Sequence, residues 1–244
     1  MLVRLEDRLQ GMLLRKEVGA QGLSNIIWAA GSLFSGVPGV LKTVPALADQ
    51  IPSKAGDMIP QHLSNTLWAA AQLQDAAPDV LVIAPAIVEE IPLKVSEMNP
   101  QELSNSLWAA AQLQDAAPEV LEAVPALVAN IPSKASGMIP QELSNCLWAL
   151  KDFADASPAV QEAAMALAQT VPSKISGMNG QASSNTVEAL VFLEESVPIP
   201  ELPAIVEAAA ARLNCILPSA LGKGLMLDVP MVVWACCRTN VYDA

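Results

Sequence analysis

The string Leu-Ser-Asn recurs at Leu23, Leu63, Leu103 and Leu143, and Ser183-Ser184-Asn185 holds the next place, 40 residues on each time. Trp28, Trp68, Trp108 and Trp148 keep the same interval, with Glu188 in the fifth slot. So do the prolines from Pro38 to Pro198, the lysines Lys54, Lys94, Lys134 and Lys174, and the methionines Met58, Met98, Met138 and Met178. Residues 67–78 and 107–118 are identical. A period of this length predicts stacked supersecondary units, each burying its apolar face against its neighbours.

The third unit serves as the template. Asn99, Pro100 and Glu102 predict an N-cap, a first helical residue and a reciprocal N3 partner. A helix A follows over Pro100 to Leu113, with Leu103, Leu107 and Ala110 on one stripe and Trp108 and Ala111 beside it. Asp115 and its equivalents Ser35, Asp75 and Asp155 are the cap candidates for a helix B, while Glu195 in the same slot can serve only the first-turn electrostatic role. Val120, Leu121, Val124, Leu127 and Val128 form its apolar face. Pro118 fits its first turn, Pro125 should kink it, and Pro132 should end it or open a short extra turn. No strand signal is present. The expectation is an all-α fold, an α-solenoid of helix–loop–helix repeats forming one superhelical domain over residues 1–244. A half repeat covers 1–18, full repeats cover 19–58, 59–98, 99–138, 139–178 and 179–224, and a degenerate half repeat covers 225–244, where residues 230–235 resemble a displaced helix A.

Composition narrows the function classes. The chain is 52% apolar, too much for a disordered segment. One His and one Tyr leave little for acid–base chemistry, and the sequence carries no Ser/His/Asp set, phosphate loop, HExxH or CxxC pair. The chain reads as non-enzymatic, with no metal and no cofactor. Four unevenly placed Cys make neither a disulfide framework nor a zinc site, which fits a reducing compartment. The longest uncharged run, between Glu17 and Lys42, holds Gln21, Asn25 and Pro38 and reads as buried helix and loop, not a membrane segment. The N-terminus mixes acids with bases and shows no targeting segment, as expected of a cytosolic chain, a processed form or a fragment. The net charge of −12 runs against a generic polyanion binder.

The motif PQELSNSLWAAAQL over residues 100–113 resembles the first helix of octotricopeptide-type repeats, which also occur in organellar proteins carrying a RAP domain. The resemblance recurs near residues 60–73 and 140–150, and less fully near 21–33 and 181–193. It implies a right-handed α-solenoid in a mitochondrion or chloroplast that binds single-stranded RNA or rRNA, in RNA stability, processing, translation or ribosome assembly. A protein–protein scaffold within a large organellar assembly is the alternative that the acidity and sparse cations suggest.

Candidate sites follow from the columns. Lys54, Lys94, Lys134 and Lys174 could track an RNA backbone, or could complement the C-terminal dipole of helix B. Asn25, Asn65, Asn105, Asn145 and Asn185 read as a buried ladder fixing repeat register, although amides could also read base edges. Trp28, Trp68, Trp108 and Trp148 read chiefly as core between layers, with base stacking the minor alternative, and the Met column reads as packing. Variation within a constant frame marks a candidate readout face: His62, Glu102 and Glu142 in one slot, Thr66, Ser106, Cys146 and Thr186 four residues on, and Asn99 and Asn179 three residues before. A relaxed solvent face would look the same.

Overall fold

The computed structural model describes residues 11–13, 15–153, 157–216, 232, 233, 235, 236 and 238. Every regular element among them is helical. None of these helices is long and apolar enough to cross a membrane. Contacts cluster into two compact units, Met1–Leu127 and Val128–Ala244.

In the first unit, helices α1 (Ala20–Leu33), α3 (Pro60–Leu73) and α5 (Pro100–Leu113) are the A helices. Each begins 40 residues after the last. Helix α3 packs against both α1 and α5. Leu63, Leu67, Leu103 and Leu107 are fully buried, as the sequence pattern predicts, each worth about 1.5–3 kcal/mol of apolar burial. Ala69, Ala70, Ala109 and Ala110 are buried as completely. The small residues let backbones approach: a Cβ on Gly31 would sit 3.2 Å from the Ala69 Cα.

The start of α5 matches its sequence signature. The Asn99 side chain accepts from the Glu102 amide at 2.9 Å, and Glu102 Oε2 accepts from the Asn99 amide at 2.8 Å. At α7 (Pro140–Asp152) Ile139 cannot accept, and only the Glu142 half of the box remains, at 2.9 Å.

The B segments differ from expectation. Each of the first three is split into a 3-10 turn followed by an α-helix: Pro38–Thr43 then α2 (Val44–Gln50), Pro78–Ile83 then α4 (Ala84–Lys94), Pro118–Glu122 then α6 (Val124–Lys134). Pro45, Pro85 and Pro125 stand in the first turn of the second piece instead of kinking one continuous helix. A proline there lacks the N–H that would bond the carbonyl four residues back, and its ring crowds that carbonyl. The fourth B segment carries Met165 in this slot, and α8 (Pro158–Lys174) runs unbroken. Pro132 lies inside α6, and a short 3-10 turn, Ala135–Gly137, follows.

The proposed caps at Ser35, Asp75 and Asp115 do not cap. These residues lie in the turn that closes each A helix, where the amides of Ala116 and Ala117 both donate to Leu113 O, at 3.0 and 2.8 Å. Because Pro118 is the first residue of the next helix, the cap position falls on Ala117, and likewise on Val37 and Ala77, none of which has a side-chain acceptor. Glu195 meets Arg238 instead, at 3.2 Å, and Asp155 lies outside the described residues. In the fourth B segment Ser157 takes the role, accepting from the Val160 amide.

In the second unit, α7 packs against α8 and against α9 (Gly180–Leu193), and α9 packs against α10 (Leu202–Ile216). The reading of 1–18 as a half repeat and of 225–244 as a degenerate one falls mainly outside the described residues.

Candidate amide and indole ladder

The Asn and Trp columns lie on the accessible side of the A helices, and the variable slot of Thr66, Ser106, Cys146 and Thr186 lies inside, the reverse of what their variation suggests. On α3, Gln61, Asn65, Trp68 and Gln72 are spaced i, i+4, i+7 and i+11, which places them on one narrow stripe. That stripe is the solvent-accessible side of the helix. The same stripe reads Gln21, Asn25, Trp28 and Ser32 on α1, and Gln101, Asn105, Trp108 and Gln112 on α5. In the second unit it reads Gln141, Asn145, Trp148 and Asp152 on α7, and Gln181, Asn185, Glu188 and Phe192 on α9. Trp28 is 46% exposed; Trp68, Trp108 and Trp148 are half-buried, so the tryptophans are not core. Nor are the asparagines a buried register. Among the described residues the side-chain amides of Asn25, Asn65, Asn105, Asn145 and Asn185 make no hydrogen bond to protein.

The readout slots are occupied by packing. Thr66, Ser106, Cys146 and Thr186 are fully buried. The Thr66 hydroxyl faces the Met58 sulfur at 4.0 Å, and Thr186 faces Met178 at 3.8 Å. The slot therefore holds small residues because the buried Met column fills the space above it. Burial raises the Cys146 thiol pKa, with the Glu142 carboxylate adding to the shift. Cys146 is thus a packed thiol, not a reactive one. Glu102 and Glu142 are half-buried, each accepting the amide at the start of its helix, while Asn99 and Asn179 are N-caps.

His62 is buried, and its Nδ1 has no partner among the described residues. Burial lowers its pKa below the usual histidine value, so the neutral ring is favoured in the folded chain. Its stabilising contribution is complete above the unfolded pKa of about 6.5 and is lost as pH falls through that value. The urea midpoint is expected to drop further between pH 7 and pH 5 in the parent than in His62→Ala, which copies the Ala182 slot.

The lysines are structural ties where their contacts are defined. Lys94 Nζ donates to Gly56 O at 2.9 Å and Met58 O at 2.7 Å, and meets Glu90 Oε2 at 2.9 Å. All three ammonium hydrogens are thereby committed. Two of them go to carbonyls at the end of the preceding B segment, so the complemented dipole is the neighbouring repeat's, not the lysine's own. In the second unit Arg212 Nε donates to Met178 O at 2.9 Å and plays the same part. Lys54, Lys134 and Lys174 are half-buried. Lys94→Met is expected to lower the unfolding free energy by about 1–3 kcal/mol, read from urea denaturation.

One groove indents the ladder of the first unit. It has a volume of about 320 Å³ and is lined by residues of the α1, α3 and α5 stripes together with Ser64, Asn99 and Glu102. Trp28 lines it, and its ring lies 6.4 Å from that of Trp68, tilted by 36°. In the second unit Lys151 Nζ lies over the Trp148 ring, 5.1 Å from its centroid, and pairs with Glu188 at 2.7 Å. Among the described residues no three His, Cys, Asp or Glu side chains are grouped to hold a metal ion.

The ladder was within reach of the sequence. The i, i+4, i+7, i+11 spacing of Gln, Asn, Trp and Gln isolates a polar stripe opposite Leu63, Leu67 and Ala70. Compared with protein-family models and with curated proteins, the chain matches none.

Proposed function

We propose that this chain is a non-enzymatic helical-repeat protein of the α-solenoid class that binds single-stranded RNA, base side inward, along the A-helix stripes. The observation that carries the reading is the ladder of unpartnered amides and accessible indoles, repeated on α1, α3 and α5 without a single charge. Every base has a π-face on which an indole can stack, and amides offer both donors and acceptors to base edges. Much of the chain's acidity sits away from the first-unit stripes, in turns and B segments such as Asp75, Asp79, Glu89 and Glu119, although Glu102 lines the groove. The resemblance of residues 100–113 to octotricopeptide-type repeats adds an organellar setting, mitochondrion or chloroplast, and roles in RNA stability, processing, translation or ribosome assembly.

A second reading, a scaffold for a protein partner in a larger assembly, is favoured by one contact. Lys151 over Trp148 and against Glu188 is the arrangement a basic peptide side chain would adopt on such a stripe.

Retention of single-stranded RNA pools across a salt series separates the two. Each phosphate contact contributes roughly −0.7 to the log–log salt slope. With Lys94 committed internally, base-side binding should give a slope no steeper than about −2. Absence of retention at low salt would remove the RNA reading, and a stoichiometric protein partner copurifying from the organelle would then support the scaffold.

A further inference from the structure

We infer that the groove between α1, α3 and α5 is a base-selective subsite, which takes a nucleobase bearing an exocyclic amino group and discriminates against uracil. The inference rests on the RNA reading and goes beyond it by assigning one position of the ladder a preference.

Ser64 supplies the first observation. It lines the groove, is 1% exposed, and its hydroxyl has no partner. Two of its equivalents donate across the repeat, Ser24 Oγ to His62 O at 3.0 Å and Ser144 Oγ to Ala182 O at 3.2 Å, each 38 residues ahead, while Ser104 Oγ donates within its own helix to Gln101 O at 3.1 Å. The corresponding carbonyl for Ser64 is that of Glu102, and that bond is not made. A hydroxyl withheld from water without a partner is unfavourable unless a ligand supplies one.

Glu102 supplies the second. It is the sole charged side chain lining the groove. Its Oε2 is held by the Asn99 amide, and among the described residues Oε1 receives no donor. An ionised carboxylate only accepts. Cytosine N4, adenine N6 and guanine N2 all offer hydrogens to it, as carboxylates accept from cytosine N4 in base readout. Uracil offers one N–H at its pairing edge, flanked by two carbonyl oxygens that a carboxylate repels. Trp28 provides an exposed ring face for stacking, and Asn25, Asn65 and Asn105 supply adaptable amides around the base. The volume, about 320 Å³, lies at the small end of ligand pockets, suited to a single base.

The test is binding of matched octamers of cytidine, adenosine and uridine to the whole chain, followed by tryptophan fluorescence. Cytidine and adenosine octamers should bind at least tenfold more tightly than uridine. Glu102→Gln keeps an acceptor for the Asn99 amide and adds a donor, so the preference should shrink to threefold or less. Ser64→Ala should weaken the cytidine octamer several-fold; a hydroxyl with only a structural role would leave binding unmoved. Equal binding of the three octamers, or a preference for uridine, overturns the inference while the RNA reading stands. Binding by none of them overturns both.

Discussion

Replacing Trp28, Trp68 and Trp108 together by Ala is expected to weaken single-stranded RNA binding by at least 100-fold while leaving the helical far-UV spectrum in place. Base–aromatic stacking contributes roughly 1–3 kcal/mol per base. Three lost platforms therefore remove about 3 kcal/mol or more, and each 1.4 kcal/mol is a factor of ten in affinity. The fold tolerates the change because the rings lie on the accessible stripe, while Leu63, Leu67, Leu103 and Leu107 fill the interior behind them. Phe in the same three positions should recover most of the affinity, since it restores a π-face without the indole N–H. Fluorescence anisotropy with a labelled oligonucleotide reads both variants. Unchanged affinity in the Ala variant would show that the ladder does not hold RNA.

Met165→Pro should cost about 3 kcal/mol of unfolding free energy and remove close to one turn of α-helix. Helix α8 is continuous from Pro158 to Lys174, whereas the three B segments with proline in this slot are divided. Met165 is itself 41% exposed, so the effect isolates the backbone from core packing. A proline at 165 removes the amide hydrogen directed at Gln161 O and sets its ring against that carbonyl. The expected product is a 3-10 turn after Pro158 followed by a shorter α-helix, as in the earlier repeats. Pro125→Ala should act in the opposite sense and raise helicity, by allowing Pro118–Glu122 and α6 to merge. Urea denaturation gives the free energies and circular dichroism the helicity. A Met165→Pro variant as stable as the parent would mean that Pro45, Pro85 and Pro125 do not cause the division.

The A helices were legible because two independent signals agree there. Pro100 and the Asn99–Glu102 pair mark the start, and Leu103, Leu107 and Ala110 mark the buried side. The B segments were less so, because the proline at 125 admits either a kink or a new beginning. Sequence position alone does not say which side of the ring the previous helix has reached. The cap assignment at Asp115 failed for a related reason. A suitable side chain was present, but two backbone amides closed the turn first and displaced the cap position onto Ala117.

Variation between repeats is a poor guide to exposure in this chain. Constancy at Asn65 and Trp68 suggests packing and variability at Thr66 suggests readout, yet the helical spacing places Asn65 and Trp68 outside and Thr66 against Met58. Burial of an A helix by preceding, following and B-segment neighbours covers nearly every position except one stripe. That coverage is a tertiary property. It makes a Ser/Thr/Cys slot an interior one and leaves the conspicuous residues in solvent.

The identity of residues 67–78 with 107–118 has an evolutionary consequence. Excising residues 67–106 would join Thr66 to Leu107 within a sequence that reads as an ordinary A helix. The inverse event, an added copy, would be as seamless. Unequal recombination can therefore lengthen or shorten this chain by whole repeats without creating a foreign junction. The number of rungs in the ladder becomes a trait adjustable in single steps between related lineages.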